Sequence, residues 1–181
     1  MSSNFERIGS ETVYEGKFID VVRGTFRHED GEVVTRELVS HPGAVGIVVL
    51  DDDENLWFVR QPREPIGIPD LLEIPAGKLD VEGEDPVEAA RRELAEEIGK
   101  QAAHWDSLGA FYTSAGFADE IIHLFLATGI SDVDERPAVD EDERIDIELR
   151  PLSDLDAVLA ETTDSKTLIA LYRLKDRLRD T

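Results

Sequence analysis

Asp85-Pro-Val-Glu-Ala-Ala-Arg-Arg-Glu-Leu-Ala-Glu-Glu-Ile-Gly99 is the stretch on which the fold turns. Asp85 is a good N-cap, Pro86 suits the first helical position, and Glu88 stands at capping-box spacing. Gly99 is a stop signal, because a helix commonly ends on a left-handed residue. The spacing therefore predicts a helix with an apolar face of Val87, Ala90, Leu94 and Ile98. At ~100° per residue, Glu93, Glu96 and Glu97 fall within an arc of about 100° on another face. Three carboxylates on one stripe repel each other unless they face open water or a cation. Hard divalent ions such as Mg²⁺ prefer several oxygen ligands, so this stripe suits one. A solvated acidic face is the plain alternative. Arg92 flanks the stripe and can hold one carboxylate in place.

Upstream lies Gly77-Lys-Leu-Asp-Val-Glu-Gly83, a glycine-bounded loop whose backbone can approach a phosphate or metal closely. Before it, Leu71–Pro75 reads as a short strand, residues 61–70 as a loop with three prolines, and Leu56–Arg60 as the hairpin partner of Ala44–Leu50. The run Ala44–Leu50 is almost wholly apolar, which fits a strand buried on both faces. The first third is β-rich: Thr12–Tyr14, Phe18–Val22 and Glu32–Val39 read as a short meander with a turn at His28–Gly31. Downstream, strands are expected over 105–112, 121–127 and 144–149, an acidic loop over 130–143, and helices near 153–159 and 168–178. The expected fold class is α/β, a mixed sheet covered by helices, with an N-terminal antiparallel β extension.

Composition narrows the function. The chain has 181 residues, 41% of them hydrophobic, enough for one compact domain and a core. It contains 0 Cys, which removes disulfides, thiolate nucleophiles and cysteine-based metal sites. The four histidines show no metal-ligand spacing. Forty-one acids against 19 bases leave a net charge of −22, a surface that repels nucleic acid phosphates. Such an excess, with arginine far outnumbering lysine, suits a strongly saline cytoplasm, where high salt screens self-repulsion. Most carboxylates are therefore surface groups, and abundance of Glu is no evidence of catalysis. No leader-like start and no run near the ~18 residues of a membrane span are present, so a cytoplasmic enzyme or binding module with no membrane or nucleic acid partner is expected.

Glu84 followed, after seven residues, by Arg92-Glu-Leu-Ala-Glu-Glu-Ile-Gly99 resembles the Nudix box of the Nudix hydrolases. Two departures stand out. Six residues separate Gly77 from Glu84 where the family usually has five, and the final position, normally aliphatic, is Lys100. Outside the box, Leu72–Lys78, Val34–Glu37, Val59–Arg63 and Thr113–Glu120 resemble segments of ADP-ribose pyrophosphatases. Ala115 and Pro62 stand where that subfamily has a proline and an aromatic residue, respectively.

The resemblance implies a Nudix α/β/α sandwich over 43–181 and a dimerising β extension over 1–42. It implies hydrolysis of ADP-ribose to AMP and ribose 5-phosphate with Mg²⁺ or Mn²⁺. Glu93, Glu96, Glu97 and the Ala76 carbonyl would hold the metal, Arg92 would orient the carboxylates, and Glu141 or Glu143 would be the general base. Arg36, Glu37, Arg63 and Gly77 would meet the nucleoside diphosphate-linked substrate, and Glu120 is a further acid that can assist. Alternatives are another NDP-sugar or a dinucleotide as substrate. From a different class, a non-catalytic nucleotide-sensing module is the alternative, which would be expected to have lost box glutamates.

Overall fold

The computed structural model describes residues 4–17, 19–137 and 144–179. These described residues divide into two compact units, one lying within 1–43 and 112–121, the other within 44–111 and 122–181.

The first unit is built on strands β1 (Phe5–Glu15), β2 (Asp20–His28) and β3 (Val33–Ser40) in the order β1-β2-β3. Both pairings are antiparallel. The turn after β2 closes where Gly31 takes φ 88° and its N–H donates to the His28 carbonyl at 2.9 Å. β1 is far longer than the expected Thr12–Tyr14. Its side chains are mostly exposed on both faces, so it carries no buried period to read. Pairing with β2, through two register shifts, holds it extended. The segment 112–121 belongs to this unit: the Val39 N–H donates to Phe117 O at 2.7 Å and the Asp119 carboxylate accepts the His41 N–H at 2.8 Å.

Strands β4 (Ala44–Leu50), β5 (Asn55–Arg63), β6 (Ile68–Glu73), β7 (Ala76–Lys78), β8 (Lys100–Tyr112), β9 (Ile121–Asp132) and β10 (Asp146–Pro151) form a seven-stranded sheet. Its order is β10-β5-β4-β9-β8, with β6 on β5 and β7 on β4. β4 runs parallel to β9 and antiparallel to β5, β7 and β5's other neighbours β6 and β10 run antiparallel to their partners, so the sheet is mixed. Helix α1 (Pro86–Ile98) covers one face and α2 (Leu155–Glu161) with α3 (Ser165–Arg179) the other. The period of two in β4 sorts the core. Val45, Ile47 and Val49 pack with Ala89, Ala90, Leu94 and Ile98 of α1. Ala44 and Val48 pack with Val158, Ala170, Leu171 and Leu174. The sandwich is thus the expected one, and the continuous apolar run of β4 reflects burial on both sides.

The proline-rich stretch 61–70 is not the expected open loop. β5 continues to Arg63, a 3₁₀ turn spans Glu64–Ile66, and β6 begins at Ile68. Pro62 is tolerated because it sits in the register shift between Gln61 and Arg63, where the ladder is already interrupted. β8 likewise starts earlier than expected, at Lys100 directly after the helix stop. The acidic turn after β4 is organised from within: the Asp51 carboxylate accepts the Trp57 indole N–H at 2.8 Å and the Asn55 N–H at 2.8 Å. Among the described residues no helix is long and apolar enough to cross a membrane.

Candidate active site

The site begins with the ends of α1. Asp85 accepts the Val87 N–H at 3.0 Å, and Pro86 opens the helix. Gly99, at φ 68°, donates to the Ala95 carbonyl at 3.0 Å. The Arg136 guanidinium adds a second cap, donating to Glu97 O at 2.5 Å and Glu96 O at 3.1 Å. A cation there opposes the negative end of the helix dipole. Glu88 pairs with Arg91 at 3.4 Å.

The acids of α1 occupy two environments. Glu97 is only 3% exposed. Its carboxylate accepts the Ala76 N–H at 3.0 Å, tying the helix to β7. Glu93 and Glu96 are half-buried and gather around Arg92, which donates to them at 2.6 and 3.0 Å. Arg92 also donates to Glu84 at 3.2 Å and to the Lys78 carbonyl at 3.4 Å. Burial works against its charge, but the hydrogen bonds it donates to Glu84 and the nearby Glu93 and Glu96 outweigh it, and its pKa is raised.

Gly77 shows how tightly the loop meets the helix. A Cβ there would lie 1.8 Å from the Glu93 carboxyl carbon and 2.1 Å from one of its oxygens. Only glycine lets this carboxylate lie against the backbone. Its place in the site is therefore explained by room for Glu93. β7 is in turn fixed to β4, where Ala76 pairs with Gly46 and the Ile47 N–H donates to Pro75 O at 2.8 Å.

Of the candidate residues, the structure brings Ala76 to Glu97 through its N–H, Gly77 to Glu93, and Arg92 to Glu93 and Glu96. Among the described residues no three acidic or histidine side chains already converge as a ligand shell. The donor chemistry nonetheless fits a hard divalent ion: carboxylate oxygens on one helix face a backbone segment that only glycine can occupy. Arg36 and Glu37 lie on β3, exposed; Arg36 donates to the Thr35 carbonyl at 2.8 Å and Glu37 faces Arg23 at 3.9 Å. Glu120 is engaged by Thr113 at 2.8 Å and His41 at 3.5 Å. Glu141 and Glu143 lie outside the described residues. Lys100, the departure at the end of the box, sets its ammonium 4.6 Å from the centre of the Trp57 ring.

Around the candidate Arg63 the structure gathers charges that the sequence did not single out, Glu73, Asp164 and Lys166. Glu73, at the end of β6, is 0% exposed. Arg63 donates to it through Nε at 2.6 Å and Nη2 at 2.8 Å, and the buried Lys166 of α3 donates to the same carboxylate. Burial pushes the Glu73 pKa up; the Arg63 hydrogen bonds and the charge of Lys166 outweigh this and hold it below the usual range. Lys166 also pairs with Asp164 at 3.1 Å. Thr167 links the set to the site loop, accepting the Ile74 N–H at 2.9 Å. The available signals were an acid between Leu72 and Ile74, and Lys166 and Thr167 four residues before the inner-face Ala170 and Leu171.

This sandwich, with its capped acidic helix against a glycine, defines a Nudix domain, and the model of that family, described as NUDIX domain, matches residues 40–172. The chain belongs to the Nudix hydrolase family. It is 39% identical over 170 residues to an ADP-ribose pyrophosphatase of Bacillus subtilis (strain 168), covering 93% of this chain and 91% of the relative. A methanol dehydrogenase activator of Bacillus methanolicus is 38% identical, again over 93% of this chain and 91% of the relative. An ADP-ribose pyrophosphatase of Mycobacterium tuberculosis (strain ATCC 25618 / H37Rv) is 46% identical over 72% of this chain and 62% of the relative. A crystal structure of an ADP compounds hydrolase shares the fold, with TM-score 0.82 and 22% identity over 99% of this chain and 96% of that one.

Proposed function

We propose that this enzyme hydrolyses the diphosphate of ADP-ribose, releasing AMP and ribose 5-phosphate. Glu93, Glu96, Glu97 and the Ala76 carbonyl are the proposed holders of Mg²⁺ or Mn²⁺. When bound, such an ion offsets the diphosphate charge and acidifies a water. The observation that carries the proposal is the approach of Gly77 to Glu93, which sets a backbone segment directly against the acids of α1. Arg92 balances and orients these acids from its hydrogen bonds to Glu93 and Glu96. Water adds to one phosphorus, the P–O–P bridge breaks, and Glu141 or Glu143 takes the proton. Arg63, Arg36 and Glu37 contact the substrate. The relatives named ADP-ribose pyrophosphatase support this choice of substrate.

Residues 1–42 form, in this proposal, a dimerising extension to the hydrolase domain of 43–181, within the cytoplasm. The exposed apolar side chains of β1, Phe5, Ile8, Val13 and Tyr14, support self-association. Sedimentation of the purified chain reads this directly, and a monomer at micromolar concentration refutes it.

The test of the reaction is AMP release from ADP-ribose with Mg²⁺ for wild type and Glu97→Gln. Wild-type turnover with at least ~10³-fold loss in a folded variant is expected. An active Glu97→Gln removes α1 as the metal site, and an inert wild type removes ADP-ribose as the substrate.

A further inference from the structure

The Glu73 cluster raises a physical question. A fully buried carboxylate is costly, and replacing a buried ion pair by apolar side chains is often neutral or stabilising. Stability alone therefore gives little reason to keep Glu73 at 0% exposure. Nor is Arg63 needed merely to balance its charge, since the Lys166 ammonium already donates to the same carboxylate.

What Arg63 gains is a fixed plane. Its Nε and Nη2 make two parallel hydrogen bonds to the two oxygens of Glu73, at 2.6 and 2.8 Å. A bidentate pair sets direction as well as energy. Among the described residues, no hydrogen bond or ion pair engages Nη1, and the Arg63 side chain is 41% exposed. Its pKa is raised, first by the hydrogen bond to Glu73, so the guanidinium stays charged. One edge of the guanidinium is thus anchored on the buried Glu73 carboxylate, while the side chain as a whole stays 41% exposed.

We propose that Glu73 is a positioning residue: it holds the Arg63 guanidinium in a fixed orientation to receive the substrate diphosphate. This rests on the proposed hydrolysis of ADP-ribose, in which Arg63 contacts substrate. An arginine fixed before binding loses less side-chain freedom when the anion arrives. Glu73 touches neither substrate nor metal and acts through Arg63. Lys166, on α3, keeps the carboxylate charged and in place.

The test is a double-mutant cycle of Glu73→Gln and Arg63→Met, read as KM and kcat for ADP-ribose, with folding checked by Tm. Glu73→Gln is expected to raise KM about tenfold with kcat within about threefold. Charge alone predicts the opposite sign, because the substitution removes a negative group near a site for an anion. Arg63→Met is expected to raise KM further, and the double variant to match Arg63→Met within about twofold. A structural defect would instead raise KM in the Arg63→Met background as well. Should Glu73→Gln fail to fold, Glu73→Asp keeps the charge but shortens the reach, and an intermediate KM is expected. An unchanged or lowered KM in folded Glu73 variants, or full additivity in the cycle, overturns the inference alone. A wild type that leaves ADP-ribose intact overturns the substrate assignment and the inference with it.

Discussion

Two arginines, Arg92 and Arg63, each collect carboxylates, and they do so in opposite ways. Arg92 draws on its own helix: Glu93 and Glu96 are neighbours by helical geometry, and Glu84 enters from the preceding loop. Arg63 draws on β6, whose Glu73 is shared with Lys166 from the far end of the chain. The first cluster is half-buried and sits where a divalent ion is proposed to bind. The second is anchored on a carboxylate with no exposure and joins β5, β6 and α3. The local cluster follows from helical spacing and the preceding loop; the non-local one ties two strands and a helix together through a buried carboxylate.

The largest expected effect strikes the local cluster. Gly77→Ala puts a Cβ 1.8 Å from the Glu93 carboxyl carbon, so the carboxylate must move. A misplacement of about 1 Å can cost on the order of 10²-fold, and a loss of kcat of at least that size is expected in steady-state assays with Mg²⁺. An active Gly77→Ala would show that the close approach has no part in the chemistry.

A smaller effect separates the non-local cluster by pH. Folding lowers the pKa of Glu73 against the ordinary glutamate value of ~4.3, so its contribution to stability is full above that pH and is lost as pH falls through the lowered folded value. The stability difference between wild type and Glu73→Gln, from urea unfolding at a series of pH values, should therefore shrink below about pH 4. A difference independent of pH would mean that Glu73 is not held ionised by Arg63 and Lys166.

The smallest effect concerns salt. A net charge of −22 repels itself in dilute buffer, and ~2 M salt screens that repulsion along with exposed ion pairs. The protein should gain a few degrees in Tm at high salt, while the dependence on Glu73 persists because buried pairs are screened little. Equal Tm and activity in both conditions would refute adaptation to a saline cytoplasm.

Helix α1, its Asp85 and Gly99 caps and its acid stripe were legible because each depends on residues within four positions of one another. The buried strand β4 was legible for the same local reason, an unbroken apolar run. β1 escaped because its order comes from pairing with β2 rather than from any buried period of its own. The strand through Pro62 escaped because a bulge supplies the exemption that composition alone does not show.

By itself the sequence determined the family, the helix that carries the acids, and the residue types able to hold a hard cation, since all three reside in short-range spacing. Only the tertiary structure decided that Glu97 turns inward to the Ala76 N–H, that Gly77 makes room for Glu93, and that Arg63 is held by Glu73 and backed by Lys166. Those facts depend on packing between segments up to 103 residues apart, Arg63 to Lys166 (166 − 63), and local propensity carries no record of which strands and helices will meet.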